Sequence, residues 1–154
     1  MDLGDADAHE ASLGTDRYRL MPGARRFDCG NYNYAATAAA HASLAELAAM
    51  GTERIERHVT QLAHALARGM LELGVPVCGG EPGRHIGHIV TVGRLSDNHS
   101  GADDERMQGL HDHLVENNVK LSIRRGTLRF AFHLYNNQDD VSRVLELTRS
   151  FLRR

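Results

Sequence analysis

At 154 residues the chain has the length of one domain, which at that size buries roughly 70% of its extended-chain surface. Its 18 Lys and Arg against 20 Asp and Glu leave a formal net charge of -2, so no global field draws in nucleic acid or an anionic membrane. No apolar run approaches the ~18 residues of a membrane helix, and the N-terminus is acidic where a signal peptide is basic and then apolar, so a cytoplasmic location is expected.

In chain order, residues 1–24 are rich in Gly, Asp and Ala without a sustained period, which predicts an irregular leader ahead of a single domain over 25–154. Ala35 to Met50 is dominated by alanine, with Ala36, Ala40, Leu44 and Leu47 at helical spacing. Gly51 closes that helix and Thr52 is expected to cap the next. There Ile55, Val59, Leu62, Leu66, Met70 and Leu73 form one stripe that ends at Gly74. A short strand from Val75 to Cys78, a Gly/Pro loop and a second strand from His88 to Val92 follow. After the polar loop Leu95–Asp103, Met107, Leu110 and Leu114 mark a third helix. Asn137 is placed to cap a last helix with Val141, Val144, Leu145, Thr148 and Phe151 inward.

Between these last two helices, Val119 to Phe132 alternates about the pair Arg125-Gly126, the pattern of a hairpin with a two-residue loop. That loop sets Arg124 opposite Thr127, Ile123 opposite Leu128, Ser122 opposite Arg129, Leu121 opposite Phe130 and Lys120 opposite Ala131. Every apolar residue then faces another, and a slip of one residue would destroy the match. The element order implies an α+β fold, a small mixed or antiparallel sheet with a C-terminal β-hairpin, covered by helices on one face.

The other face of the hairpin carries Lys120, Ser122, Arg124, Arg129 and His133. Such a face is either merely solvated or binds an anion, because a guanidinium on a stiff strand offers a fixed fork to carboxylate or phosphate. Arg129, flanked by small Ser122 and Ala131, is the best candidate. The ten histidines are not expected to form a metal set: His85 and His88 lie two residues apart near a strand start, His111 and His113 point about 200° apart on a helix, His58 and His64 are off-register for helical chelation, and no acid or cysteine cluster completes a set. Cys29 and Cys78 are too few for a disulfide framework and are read as free thiols. The arginines Arg124, Arg125, Arg149, Arg153 and Arg154 are too scattered for a nucleic-acid surface.

The run Ser122-Ile123-Arg124-Arg125-Gly126-Thr127-Leu128-Arg129-Phe130-Ala131-Phe132-His133-Leu134-Tyr135-Asn136-Asn137, with Asp139 and Asp140, resembles the C-terminal signature of class V, fold-type I pyridoxal-phosphate enzymes. These include aminotransferases, cysteine desulfurases, selenocysteine lyases and isopenicillin-epimerase-like proteins. Pro22-Gly23-Ala24-Arg25-Arg26-Phe27-Asp28-Cys29-Gly30-Asn31 resembles the passage from the large domain of such enzymes into the small one. The resemblance implies an aminotransferase class V small domain that closes over pyridoxal phosphate held by a separate large domain, in a dimer acting on an amino acid. It matches Arg129 to the arginine that grips the substrate carboxylate. It sets Gly30-Asn31 where many relatives carry Gly-Thr at the cofactor phosphate across the dimer, and it gives His133, Tyr135 and Asn136 a bracing role.

Pyridoxal-phosphate chemistry needs a lysine for the Schiff base, and the one lysine here, Lys120, belongs to the hairpin and not to a large-domain strand. No catalytic residue is therefore expected in this chain, which should be inert alone: a fragment of a longer frame or a subunit completed by a partner, the fragment being more economical. The lyase, epimerase or aminotransferase branch is favoured, since no cysteine follows Cys78 and a tight Arg-Gly turn leaves no loop for a nucleophilic thiol. The alternative is a stand-alone anion-binding or protein-interaction module that kept the small-domain fold.

Overall fold

The computed structural model describes residues 22–27, 30, 32–97 and 104–153. The expected leader over 1–24 lies outside them except for its last three residues, as do Cys29, Asn31 and most of the loop Leu95–Asp103. The chain divides into two compact units, Met1–Ala45 and Glu46–Arg154.

The described part of the first unit holds a 3-10 turn, Gly23–Phe27, and most of α1, Tyr34–Met50. Asn33 opens α1: its Oδ1 accepts from the Ala36 N–H at 2.9 Å and its carbonyl accepts from Thr37. The expected helix forms, but its helical spacing of Ala36, Ala40, Leu44 and Leu47 marks no core side, because no residue of α1 is buried. The reason is compositional. Alanine makes a helix by propensity, and the apolar residues spread evenly around the axis instead of gathering on one side.

In the second unit α2, Thr52–Glu72, does have a stripe: Val59, Leu62, Leu66 and Met70 are buried together with Ala63 and Ala67, while Ile55 and Leu73 are partly covered. Thr52 is not its cap. Gly51 takes that position without a side-chain bond, and Thr52 is the first helical residue, its hydroxyl donating to Glu53. The expected Val75–Cys78 strand reduces to a single bridge, Val77 to Val92, because a turn begins at once through Cys78 and Gly79. Strand β1 is Ile89–Val92, helix α3 is Glu105–Glu116, and the hairpin follows as β2, Ser122–Arg124, and β3, Thr127–Ala131. Helix α4, Gln138–Leu152, closes the fold.

The sheet is antiparallel in the order β1-β3-β2. Its hairpin register is the expected one for Ser122–Arg129, Ile123–Leu128 and Arg124–Thr127. Arg125 and Gly126 both have positive φ, 49° and 77°, the two-residue turn whose twist matches that of the strands. The expected pairs Leu121–Phe130 and Lys120–Ala131 lie beyond the pairing, which stops at Ser122. Chain leaving α3 turns through Asn118 at φ 65° with the Val119 N–H still bonded to Leu114, so it reaches the sheet late.

One face of the sheet is covered by helices. Val90 pairs with Phe130 and Val92 with Leu128, and all four are buried among Leu66, Met70, Leu110, Leu114 and Val141. Helix α4 packs on both α2 and α3. The α2–α4 approach is close enough that a Cβ on Gly69 would collide with Leu145. Asn137 caps α4 as expected, its Oδ1 accepting from Asp139 and Asp140 while the Asp140 carboxylate accepts from the Asn137 N–H in return.

Candidate functional site

Alternation along β3 sends Leu128 and Phe130 into the core and Thr127, Arg129 and Ala131 to the opposite face. Arg129 occupies the middle of the middle strand, opposite Thr91 of β1 on one side and Ser122 of β2 on the other. It is half-buried, yet among the described residues its guanidinium has neither an ion pair nor a hydrogen bond. Ser122 and Arg124 are exposed on the same face, and Thr91 is half-buried. Thr127 is buried, its hydroxyl donating to the Arg124 carbonyl at 2.7 Å, which ties down the turn end of the face. A half-covered guanidinium between two hydroxyl residues at fixed register can present its fork to a carboxylate without first breaking an internal pair.

Lys120 lies outside β2 and lines a cleft of about 540 Å³ at the edge where β2 stops, a cleft to which Arg129 does not contribute. Sequence reasoning missed that cleft, since it requires β2 to start late and nothing but the Asn117-Asn118 pair after α3 signals the turn.

His133, Tyr135 and Asn136 form the passage from β3 into α4. The rings of His133 and Tyr135 stack with centroids 4.9 Å apart. Asn136 Oδ1 accepts from the His133 N–H at 2.8 Å, its Nδ2 donates to Asp140, and its carbonyl accepts from His58 Nε2 at 2.9 Å. The last contact fixes the proton of His58 on Nε2 and ties the turn to α2. In the first unit Gly30 is exposed with φ 101°, and its neighbour Asn31 lies outside the described residues.

The histidines serve the frame. His64 Nε2 donates to the Gly83 carbonyl at 3.2 Å, and buried His113 lies against Phe151 with its Nε2 unpartnered. Among the described residues no three His, Cys, Asp or Glu side chains converge to hold a metal ion. Cys78 is half-buried, its backbone N–H bonded to Thr91 and its thiol 3.5 Å from the Gly93 carbonyl, and burial pushes the thiol pKa up. His111 beside Asp112 holds that exposed carboxyl below its usual range. No helix among the described residues is long and apolar enough to cross a membrane.

Neither a protein-family model nor a curated protein matches this sequence. The fold does match part of a solved one, the apo structure of a cysteine desulfurase from Thermococcus onnurineus NA1. The match has a TM-score of 0.69 at 20% identity and covers 93% of this chain but 37% of that chain. The likeness is one of fold, and this chain spans little more than a third of the enzyme's length.

Proposed function

We propose that this chain is the small-domain part of a pyridoxal-phosphate-dependent enzyme acting on an amino acid, that it positions the substrate carboxylate through Arg129, and that it is inert without a large domain. The observation carrying this reading is the half-buried Arg129, without an ion pair or hydrogen bond among the described residues, at the centre of the sheet face opposite the helices. A guanidinium without an internal partner on a rigid strand is free to meet an outside carboxylate. The likeness to just over a third of a cysteine desulfurase supports reading that partner as a ligand held against another polypeptide region.

The cofactor itself does not fit this chain. When bound, pyridoxal phosphate supplies the electron sink for amino-acid chemistry, and it needs a lysine amine as its anchor. Lys120, the one lysine, lines the cleft at the sheet edge, to which Arg129 does not contribute. The anchoring lysine and the groups around the ring therefore belong to the large domain. What this chain does is bind and orient: Arg129 takes the carboxylate, Thr91 and Ser122 flank it, and His133, Tyr135 and Asn136 brace the turn that fixes the strand end. Gly30 and Asn31 are assigned to the cofactor phosphate across a dimer. The two-residue turn at Arg125-Gly126 and the lack of any cysteine after Cys78 favour lyase, epimerase or aminotransferase chemistry over persulfide formation.

The test is co-expression of this chain with a large pyridoxal-phosphate domain of class V type encoded beside it. The two should co-purify, and amino acids added to the complex should change the cofactor absorbance. Failure to associate, or a spectrum indifferent to every amino acid, contradicts the reading and leaves a stand-alone anion-binding module.

A further inference from the structure

The cleft at the sheet edge has the make-up of a second site, distinct from the Arg129 face. It measures about 540 Å³, within the range of small-molecule pockets at roughly 300–1,000 Å³. Its floor is apolar: Leu66, Phe130, Phe132 and Val144 all reach it from the core. Its wall carries two cations, Lys120 and Arg143, both exposed and neither in an ion pair among the described residues. The one acid in the lining, Asp140, is already engaged. Its carboxylate accepts from Asn136 Nδ2 and from the Asn137 N–H, both at 3.0 Å, as part of the α4 cap.

The backbone contributes as well. The Phe132 N–H donates across to the His88 carbonyl at 2.8 Å, on the β1 side of β3. Successive peptide groups along a strand point to opposite sides, so the N–H and C=O of Ala131 point to the β2 side. Pairing with β2 ends at Ser122–Arg129, two residues short of Ala131. The cleft thus offers an outward-facing strand N–H beside two free cations, above a floor of aromatic and aliphatic side chains.

From this juxtaposition we propose that the cleft binds a small amphipathic monocarboxylate, its apolar body on Phe130 and Phe132 and its carboxylate between Lys120 and Arg143. A charge-assisted contact with either cation at a partly desolvated edge is stronger than a neutral one, and the apolar floor adds affinity that acetate cannot use. The ligand is separate from the amino-acid substrate of the proposed reaction, because Arg129 is no part of this cleft.

The experiment is an amide-resolved NMR titration of the full 154-residue chain with 4-phenylbutyrate at low ionic strength, with 4-phenylbutyramide and acetate as comparison probes. Saturable shifts should gather at Asn118, Lys120 and Ala131, with a dissociation constant below about 5 mM. The amide and acetate should each bind at least about tenfold more weakly, and Lys120→Gln and Arg143→Gln should each weaken phenylbutyrate about threefold or more. Both positions are exposed, so the variants should fold, which unchanged amide spectra elsewhere would verify. The proposal is overturned by any of four results: no saturable shift, equal binding of acid and amide, acetate matching phenylbutyrate, or both variants binding like the parent. Shifts centred instead on Thr91, Ser122 and the Arg129 side chain would also overturn it, while supporting the carboxylate role of Arg129. The two readings therefore fail separately.

Discussion

The two faces of the three-stranded sheet are built from the same five residues of β3 and have opposite fates. On one, Leu128 and Phe130 are buried in a core shared with α2, α3 and α4; on the other, Arg129 lies half-open between Thr91 and Ser122. Because strand side chains alternate strictly, one tight turn at Arg125-Gly126 sets both faces at once. Stability and recognition are thereby separated by a single residue step, so substitutions on the two faces should sort into different measurements.

Leu128→Ala gives the largest expected effect on folding. Leu128 is fully buried and central, so urea unfolding should show a loss of about 2–5 kcal/mol, and a loss below about 1 kcal/mol would mean that the covered face is not the core. Asn137→Ala removes the hydroxyl-free amide cap that starts α4 against this face and should destabilise the chain by about 1 kcal/mol in the same assay. Cys78 marks the β1 margin, where burial raises the thiol pKa. Its alkylation, followed residue by residue by mass spectrometry, should run several-fold slower in folded than in urea-unfolded chain at neutral pH. The sign for stability follows: with the folded pKa raised, the contribution is nil at neutral pH, where both states hold the proton, and stability declines as pH rises through the ordinary thiol range. The smallest effect is Arg129→Ala on the chain alone, within about 0.5 kcal/mol. A loss as large as that of Leu128→Ala would erase the distinction between the faces.

Much of this arrangement can be read from residue order. The hairpin register follows from the apolar match across Arg125-Gly126, and the α4 cap follows from Asn137 and Asp140 at the right spacing. Both are local, and local chemistry decides them. The helical spacing in α1 names no buried side because a helix so rich in alanine satisfies many periodicities at once. The expected pairing of Lys120 fails because alternation extrapolates through a turn that Asn118 imposes, so Lys120 lies before the paired strand and lines the cleft at the sheet edge. The cleft there depends on where β2 begins, a tertiary outcome that no window of sequence contains. For the candidate site, Arg129 and its neighbour Ser122 are legible from the hairpin, whereas Thr91 is not, since its position opposite Arg129 comes from the long-range β1–β3 pairing.

The central claim is that Arg129 serves a carboxylate held against another polypeptide region. The most direct measurement is kcat/KM of the complex with a large domain, for an amino acid and for its amide, with Arg129 intact and as Arg129→Ala. The account predicts a loss on the acid equivalent to about 2–4 kcal/mol and a far smaller loss on the amide. Equal losses on both substrates, or none on the acid, would contradict it.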